Sequence, residues 1–425
     1  MMTKDEALRI LRAHRPIPLG VESVPLGAAL GRVLAEDCVA DRDQPPFHRS
    51  AMDGYACRAA DLEGAPVVLD VVEVIAAGEM SSRTIGPGAC AKIMTGAPVP
   101  AGADVVVMVE KTEALDEGRR VRILEGAPSG RNIAPQGQDY REGDAVLRVG
   151  RRLRPLELGM LASLGRDPVA VHVLPRVTVL ATGDELVPPG GPTPGPGQIR
   201  ESNGVMLTAQ VAALGLGIPV RHGGIVPDDP AAVGAALEDA LRGHVVILSG
   251  GVSMGDFDYV HEELHRRGLE VMIEKVAIKP GKPLLYGRLS AEDGRSVEVF
   301  GLPGNPVSSF ATFEIFVRPH LEAFCGLPER EAPRLRMEIR GSSPGKAIPR
   351  TQHLPVNVSL LHDGRLIAER VTWHGSGDLR GMAEANGLLV VEAGEAPPAE
   401  GEEGWVHLVE PIDPSRRVSV SDGAR

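Results

Sequence analysis

The spacing of apolar residues near the start of the chain predicts helices. Apolar side chains recur at helical spacing behind Thr3, and Glu6 follows that threonine by three positions, as in a capping box. We therefore expect a first helix over residues 3–14. Similar patterns predict further helices over 26–36 and, opened by a proline, over 155–166.

Short apolar runs separated by Gly or Pro dominate the next part of the chain, from Val67 to about Val149. They are VVLDVVEVI, CAKIMTG, DVVVMVE, RVRIL and DAVLRVG. Runs of this length between turn residues are typical of short strands. This part therefore predicts a small β domain.

The middle third of the chain alternates strand and helix patterns. The predicted strands are RVTVLATGDEL, IPVRHGGIV, HVVILSGG and SVEVFGLPGN, and apolar helices follow them. Such alternation indicates βαβ units and a parallel sheet, with any ligand beyond the carboxyl ends of the strands. We assign residues 171–326 to one α/β domain of this kind.

Strand patterns return after Pro328, in RLRMEIRG, HLPVNVSLL, RLIAERVTW, GLLVVE and GWVHLVE. They predict a separate C-terminal β barrel or sandwich. The polar residues 415–425 read as a flexible tail. The fold class is thus multidomain, α/β plus β.

Composition narrows the function classes. The formal net charge is −12 and the isoelectric point about 5.5, without a long basic block, which argues against nucleic acid as the main partner. Four scattered cysteines indicate reduced thiols in a reducing compartment. No apolar run approaches the roughly 18 residues of a membrane span, and the N-terminus lacks the apolar core of a signal peptide, so we expect a cytoplasmic protein without membrane contact.

The segment GLPGNPVSSF could bind an anion. Gly304 would let the backbone approach a ligand, Asn305 would cap the following helix, and the backbone N–H groups of Val307, Ser308 and Ser309 would then be free. The structural alternative is a tight turn followed by a well-capped helix.

Two further loops follow predicted strands and carry acidic residues. LSGGVSMGDFDY offers Gly251, the Ser253 hydroxyl and the carboxylates of Asp256 and Asp258, which suit Mg²⁺ carried by a phosphoanhydride. ATGDEL offers Thr182, Asp184 and Glu185. Plain capping of helix dipoles by acidic residues would also explain such loops.

The segment KVAIKPGKP contains Lys275, Lys279 and Lys282. Three lysines beside acidic loops could neutralise phosphate or oxyanion charge, although a solvated basic loop is the alternative. All four loops should meet at one edge of the sheet, and this convergence favours the functional interpretation of each.

Two motifs point elsewhere. His261 and His265 match the HExxH pattern of zinc proteases, but their helix should run away from the strand ends, so two surface histidines are the simpler interpretation. Ser253 lies in a GxSxG pattern, yet Ser249-Gly250 interrupts the strand before it, and no acid–histidine pair follows clearly. We therefore rank a serine hydrolase low.

Taken together, GGVSMGDFDY, AIKPGKP and GLPGNPVS resemble the central domain of molybdopterin molybdenumtransferases, the family that includes the gephyrin E domain. PPFHRSAMDGYA, KIMTGAPVPAGADVVVMVE, GRNIAPQGQDYREGD and HGSGDLRGMAEANGLLVV extend the resemblance over nearly the whole chain. It implies five segments: a discontinuous helical N-terminal domain (1–44 and 140–170), an inserted β-rich domain (45–139), the molybdopterin-binding domain (171–326), a β barrel (327–414) and the tail (415–425).

The resemblance also implies a reaction. Molybdate would be inserted into adenylylated molybdopterin, with Mg²⁺-dependent cleavage and release of AMP. The enzyme would be a homodimer whose active site forms between the third domain of one subunit and the second domain of the other. A molybdopterin adenylyltransferase and other cofactor-biosynthesis proteins would be its partners.

Site residues follow from the same resemblance. Asp53, Glu185, Asp228, Asp258, Lys275 and Lys279 would be catalytic. Glu185, Asp256 and Asp258 would contact the metal. Substrate would be bound by Thr95, Asp139, Thr182, Gly251, Ser253, Lys282, Gly304, Asn305, Ser308, Arg350 and Ser376. The competing interpretations are a molybdopterin adenylyltransferase and a non-catalytic scaffold of the same fold.

Overall fold

The computed structural model describes residues 1–251, 259–291, 293–329, 333–341 and 345–412. Their contacts divide the chain into two compact units. The first comprises Met1–Ala35, Gly150–Leu158 and the described part of Pro168–Arg425; the second comprises Glu36–Val149 and Gly159–Asp167. No helix in the described ranges is both long and apolar enough to cross a membrane.

The first helix, Lys4–Ala13, begins as predicted. The backbone N–H of Glu6 donates to the Thr3 hydroxyl at 3.2 Å, and the Glu6 carboxylate accepts from the Thr3 N–H at 2.7 Å. The capping box is therefore complete. The predicted helix over 155–166 is present as Pro155–Ser163.

The predicted helix over 26–36 is wrong. Only a short 3-10 turn, Leu26–Ala28, forms there, and isolated bridges at Val33 and Leu34 follow it. Gly31 has a φ of +80°, and a Cβ on it would lie 2.2 Å from the Gly215 carbonyl oxygen. Because the chain passes another turn so closely, packing overrides the helical pattern here.

The central sheet of the first unit has six strands. In spatial order they are Val220–Val226, Val177–Thr182, Val245–Ser249, Ser296–Leu302, Pro283–Ser290 and Glu270–Lys275. The first four are parallel, but the last two are antiparallel to their neighbours. The predicted parallel sheet therefore ends at Ser296–Leu302, and a hairpin continues it.

Helices cover both faces of this sheet: Asn203–Ala213, Pro230–Ala240, Tyr259–Arg266, and one long segment made of Pro306–Thr312, the π-helical Phe313–Val317 and Arg318–Phe324. The all-apolar strand Val245–Ser249 supplies both cores. Val245 and Ile247 point into one, and Val246 and Leu248 into the other. The buried strand ends thereby become fixed supports for the turns that follow them.

A closed barrel forms the C-terminal part of the first unit. Its strands are Arg334–Arg340, Thr351–Leu360, Leu366–Arg370, Gly387–Val391 and Glu403–Leu408, and a short helix, Leu379–Ala383, precedes the fourth. The two-residue strand Ile278–Lys279 adds to it in parallel with Thr351 and Gln352. The predicted fold class, α/β with additional β domains and a C-terminal barrel, is confirmed.

The second unit contains another six-stranded sheet. Its order is Val105–Met108, Gly54–Cys57, Ala89–Ile93, Val67–Ile75, Arg120–Ile123 and Thr112–Leu115, with 3-10 turns at Ala59–Leu62, Val109–Lys111 and Asp116–Gly118. Short strand pairs complete both units: Cys38–Val39 with Ala145–Leu147, Arg49–Ser50 with Ile133–Ala134, Val21–Val24 with Val169–His172, and Leu186–Val187 with Ile199–Arg200.

Candidate active site

Three turns meet at the carboxyl ends of the parallel strands. The N–H of Gly250 donates to the Leu302 carbonyl at 3.3 Å. Gly250 has a φ of +88°, and a Cβ on it would lie 2.6 Å from the Thr182 carbonyl oxygen. A Cβ on Gly304 would meet only the Cα of Gly250, at 3.9 Å. The three turns therefore form one continuous glycine-rich edge.

Part of the predicted site lies outside the described residues. Ser253, Asp256 and Asp258 belong to the segment 252–258, so their predicted roles stay predictions. Gly251, the last described residue before it, has a φ of +58°, and a Cβ there would lie 2.8 Å from the Thr182 hydroxyl. Gly251 and Thr182 are thus in close proximity, as expected for one site.

Acidic side chains gather beside this edge. The Asp184 carboxylate accepts a hydrogen bond from the N–H of Asp228 at 3.0 Å. Burial and the negative charges of Asp184 and Glu185 raise the pKa of Asp228. An excess of carboxylate charge at this position favours a bound cation.

Lys275, Lys279 and Lys282 are all exposed. The N–H of Val276 donates to the Lys282 carbonyl at 3.0 Å, which closes the loop that carries them. A Cβ on Gly281 would lie 2.6 Å from the Thr312 methyl group, so the loop packs directly on the helix that follows the GLPGNP turn.

Arg350 directly precedes the barrel strand that pairs with the lysine-bearing segment. The N–H of Thr351, the first residue of that strand, donates to the Ala277 carbonyl at 3.0 Å, and Lys279 pairs with Gln352 one position further on. A fourth basic residue therefore stands next in sequence to the strand that borders the lysine loop.

The prediction that the N–H groups at the start of the helix Pro306–Thr312 are free is wrong in part. The Val307 N–H donates to the Ser376 carbonyl at 3.1 Å and the Ser309 N–H to the Asn305 carbonyl at 3.0 Å, so both groups already have partners. Asn305 stands at the N-cap position but does not cap with its side chain; its Nδ2 donates to the Ser376 hydroxyl at 3.0 Å. Ser308 is buried in the same turn.

In the second unit, Asp53 and Thr95 lie in direct contact. The Thr95 N–H and hydroxyl donate to one Asp53 oxygen at 2.6 and 2.8 Å, and these two hydrogen bonds hold the pKa of that carboxyl below its usual range. Asp139 lies elsewhere in this unit. Its N–H donates to the Gln44 carbonyl at 2.9 Å, and it lines a separate cavity of about 660 Å³.

The zinc-protease pattern does not assemble into a site. The rings of His261 and His265 stack edge to face with centroids 4.6 Å apart. Across the described ranges, no group of three His, Cys, Asp or Glu side chains is placed to hold a metal ion. The interpretation as helix-surface histidines is therefore retained.

Comparison with known proteins supplies the family. The chain is 39% identical over 393 residues to a protein of Mycobacterium tuberculosis named molybdopterin molybdenumtransferase 2, covering 89% of this chain and 92% of the relative. The chain belongs to the molybdopterin molybdenumtransferase family. A Bacillus subtilis protein of the same name without the number is 34% identical, with 92% of this chain and 90% of that protein covered.

Three family models match successive parts of the chain. They are described as the MoeA N-terminal region (domain I and II) at residues 2–165, a probable molybdopterin binding domain at 178–323, and the MoeA C-terminal region (domain IV) at 345–409. The glycine-rich edge, the acidic residues and the three lysines all fall within the second match.

Solved structures of the family share the fold. A crystal structure of the molybdopterin biosynthesis MoeA protein from Pyrococcus horikoshii matches with a TM-score of 0.80 at 31% identity, covering 96% of this chain and 100% of that one. A second structure of the Pyrococcus protein gives a TM-score of 0.78 at 33% identity, with 97% and 100% covered.

One residue at the edge was not predicted. The Nδ2 of Asn203 donates to the Ser249 hydroxyl at 2.8 Å and to the Gly304 carbonyl at 2.7 Å. The only local signal is an asparagine at the start of an apolar helix pattern, and ordinary helix caps share that signal.

Proposed function

We propose that the chain inserts molybdenum from molybdate into adenylylated molybdopterin, with cleavage and release of AMP, to complete the molybdenum cofactor. The observation that carries this proposal is the glycine-rich edge, with three exposed lysines on the adjoining loop and carboxylates beside it. The names of the full-length relatives support the same reaction, and they do not favour adenylyl transfer to the pterin.

The edge suits a polyanionic substrate. Gly304 leaves the backbone open to close approach, whereas Gly250 lets its turn pack against Thr182, whose hydroxyl lies at the same edge. Gly251 and Ser253 would contact the phosphate groups, and Asn305 and Ser308 would support them from the following turn. Binding in a fixed place replaces an unfavourable encounter between two anions.

Lys275, Lys279 and Lys282 would hold molybdate beside the dithiolene sulfurs of the pterin. Their exposed ammonium groups offset oxyanion charge, and their loop is fixed on both sides, by the barrel and by Thr312. Arg350, which precedes the neighbouring strand, and Ser376, which accepts hydrogen bonds from Asn305 and Val307, would add further anion contacts from the barrel.

Carboxylate oxygens are the ligand type that suits Mg²⁺. The described carboxylates of Asp184, Glu185 and Asp228 lie near one another, but they do not by themselves form a metal-binding group. Glu185 would hold the metal together with Asp256 and Asp258. When bound, Mg²⁺ would offset the charge that develops as the phosphoanhydride is cleaved. Asp228 would belong to the acidic side of the same site.

Asp53 and Thr95 would act from a second copy of the chain. The two hydrogen bonds from Thr95 keep Asp53 ionised and fix its direction. We propose a homodimer in which these two residues, together with Asp139 of the same unit, complete the site of the partner. A cytoplasmic location and delivery of substrate by a molybdopterin adenylyltransferase belong to the same proposal.

The test is incubation with adenylylated molybdopterin, Mg²⁺ and molybdate, following AMP and cofactor formation. Lys279→Ala should raise the molybdate concentration needed for half-maximal AMP release by about tenfold, because one charge contact to the anion is lost. Glu185→Gln should raise the Mg²⁺ requirement.

Arg336→Ala is the matched control. Arg336 is an exposed cation on the outside of the barrel, paired with Glu403 at 2.9 Å, so its loss should leave AMP release unchanged. Adenylylation of molybdopterin from ATP in place of AMP release would favour the adenylyltransferase instead. If the chain restores neither molybdenum insertion nor adenylylation of molybdopterin in a strain that lacks its own enzyme, the non-catalytic scaffold would be favoured.

A further inference from the structure

The side chain of Asn203 joins two turns that are distant in sequence. Its Nδ2 donates hydrogen bonds to the Ser249 hydroxyl, at the end of one parallel strand, and to the Gly304 carbonyl, in the turn that follows the neighbouring strand Ser296–Leu302. These bonds span 46 and 101 positions of the chain. Only 9% of the residue is exposed, so the two bonds are shielded from water.

The chemistry of the partners fixes the orientation of this amide. The Gly304 carbonyl can only accept a hydrogen bond, so it must face the NH₂ end of the side chain. A rotated amide would place two oxygens against each other. Within the part of the chain that the structure describes, the Asn203 oxygen is buried and has no hydrogen-bond partner, and the same is true of the Thr182 hydroxyl beside the same turns. Buried polar atoms without partners are rare and costly in folded proteins.

The backbone around Asn203 is fixed as well. The Glu201 N–H donates to the Val187 carbonyl at 2.8 Å, and the Glu201 carboxylate accepts from the N–H of Gly204. A Cβ on Gly204 would lie 2.2 Å from the ring of His222. The helix start that carries Asn203 therefore has little freedom to shift, which suits a residue that sets the spacing of other groups.

We infer that Asn203 is a positioning residue for the transfer reaction: it sets the distance between the Ser249 and Gly304 turns that hold the phosphoanhydride and pterin of the substrate. The inference rests on the proposed function. Asn203 acts through the two turns and not by touching the substrate, because its side-chain oxygen is buried.

The test separates binding from folding. Asn203→Ala should raise the KM for adenylylated molybdopterin by about tenfold, equivalent to about 1.4 kcal/mol, because two neutral hydrogen bonds that space the turns are lost. Asn203→Asp keeps the shape but places a carboxylate oxygen against the Gly304 carbonyl, so its KM should rise at least as much. Ser249→Ala removes one of the two contacts and should raise KM roughly two- to threefold.

Gln210→Ala is the matched control. Gln210 lies on the same helix, is 8% exposed, and donates to the Glu314 carboxylate at 2.8 Å, away from the strand ends. Its loss should lower the melting temperature and leave KM within twofold. A residue that only stabilises the fold changes the active fraction, and with it the apparent kcat, but not KM.

The outcomes distinguish the two proposals. If the unaltered chain releases no AMP, both the function and this inference are overturned. If it releases AMP normally while Asn203→Asp and Ser249→Ala keep its KM, only the inference is overturned. If Asn203→Ala does not fold, Ser249→Ala still decides. If it does fold, a double variant of Asn203→Ala and Ser249→Ala whose effect on KM is less than the sum of the two would support coupling through Ser249.

Discussion

A single added methyl group can separate the role of Gly304 in substrate binding from its role in folding. A Cβ at this position would meet only the Gly250 Cα, at 3.9 Å, which is ordinary van der Waals contact. The φ of Gly304 also lies outside the left-handed region, so an alanine can adopt the native backbone. Gly304→Ala should therefore fold normally while placing a methyl group at the glycine-rich edge.

The expected magnitudes differ between the two states. Replacing glycine by alanine where the backbone permits it stabilises a protein by about 0.4–1 kcal/mol, because the unfolded chain loses freedom. An added methyl group in a well-filled contact costs about 1–3 kcal/mol. If the substrate lies against Gly304, this cost appears as a rise of roughly 5- to 150-fold in KM.

The assay measures the melting temperature by calorimetry and the KM for adenylylated molybdopterin by AMP release. Gly250→Ala is the comparison, because its φ of +88° and a Cβ 2.6 Å from the Thr182 carbonyl predict a loss of melting temperature instead. A Gly304→Ala protein that melts as the wild type and keeps its KM would refute close approach of the substrate at this turn.

Three other predictions concern stability and charge. Gly31→Ala should lower the free energy of unfolding by about 2 kcal/mol or more, seen by calorimetry, because φ is +80° and the new Cβ would lie 2.2 Å from a backbone carbonyl oxygen; an unchanged transition would contradict the tight passage. Hydrogen bonds, the largest from Arg154, lower the pKa of Glu157 from 4.5 to about 2. Glu157→Gln should therefore lower the free energy of unfolding by about 1–3 kcal/mol at pH 7, a range that allows for the half-exposed arginines. The difference between the two proteins should persist above pH 4.5 and vanish as the pH falls towards 2. Thr95→Val removes only the weaker of the two hydrogen bonds to Asp53, so the pKa of Asp53 should rise only part of the way to its usual value. The acid limb of the pH profile of kcat/KM should move to higher pH, but by less than in Thr95→Pro, which also lacks the N–H.

Local patterns were predictable because their causes are local. The capping box of Thr3 and Glu6 depends on residues three positions apart, and it forms as expected. The strand Val245–Ser249 is apolar throughout because it lies between two cores. The turn that could contact a ligand must follow the carboxyl end of such a strand. Because parallel strands end at the same edge of the sheet, the sequence could predict that their turns meet there.

Failures arose where distant residues decide. Gly31 sits against a turn that the local sequence does not reveal, so the helical pattern around it gave a wrong helix. The run PLLYGRL reads like any buried strand, and nothing in it distinguishes the antiparallel pairing of Pro283–Ser290 from a parallel one. The N–H of Val307 donates to the carbonyl of Ser376, which lies far along the chain.

Asn203 shows the same limit within the candidate site. Its residue type suggests a cap, whereas its two bonds go to Ser249 and Gly304. No spacing rule links these three positions, because the contact exists only once the parallel strands are aligned.

The strand Ile278–Lys279 is covalently part of the α/β segment, yet its backbone ladder is completed by the barrel. The backbone of the lysine-bearing loop is consequently held by residues of the next domain in the chain. A nascent or truncated polypeptide that ends before Thr351 would contain the whole central sheet but would lack the strand that pairs with its cationic loop. Competence for the reaction should thus appear late in synthesis, when the last strands have emerged.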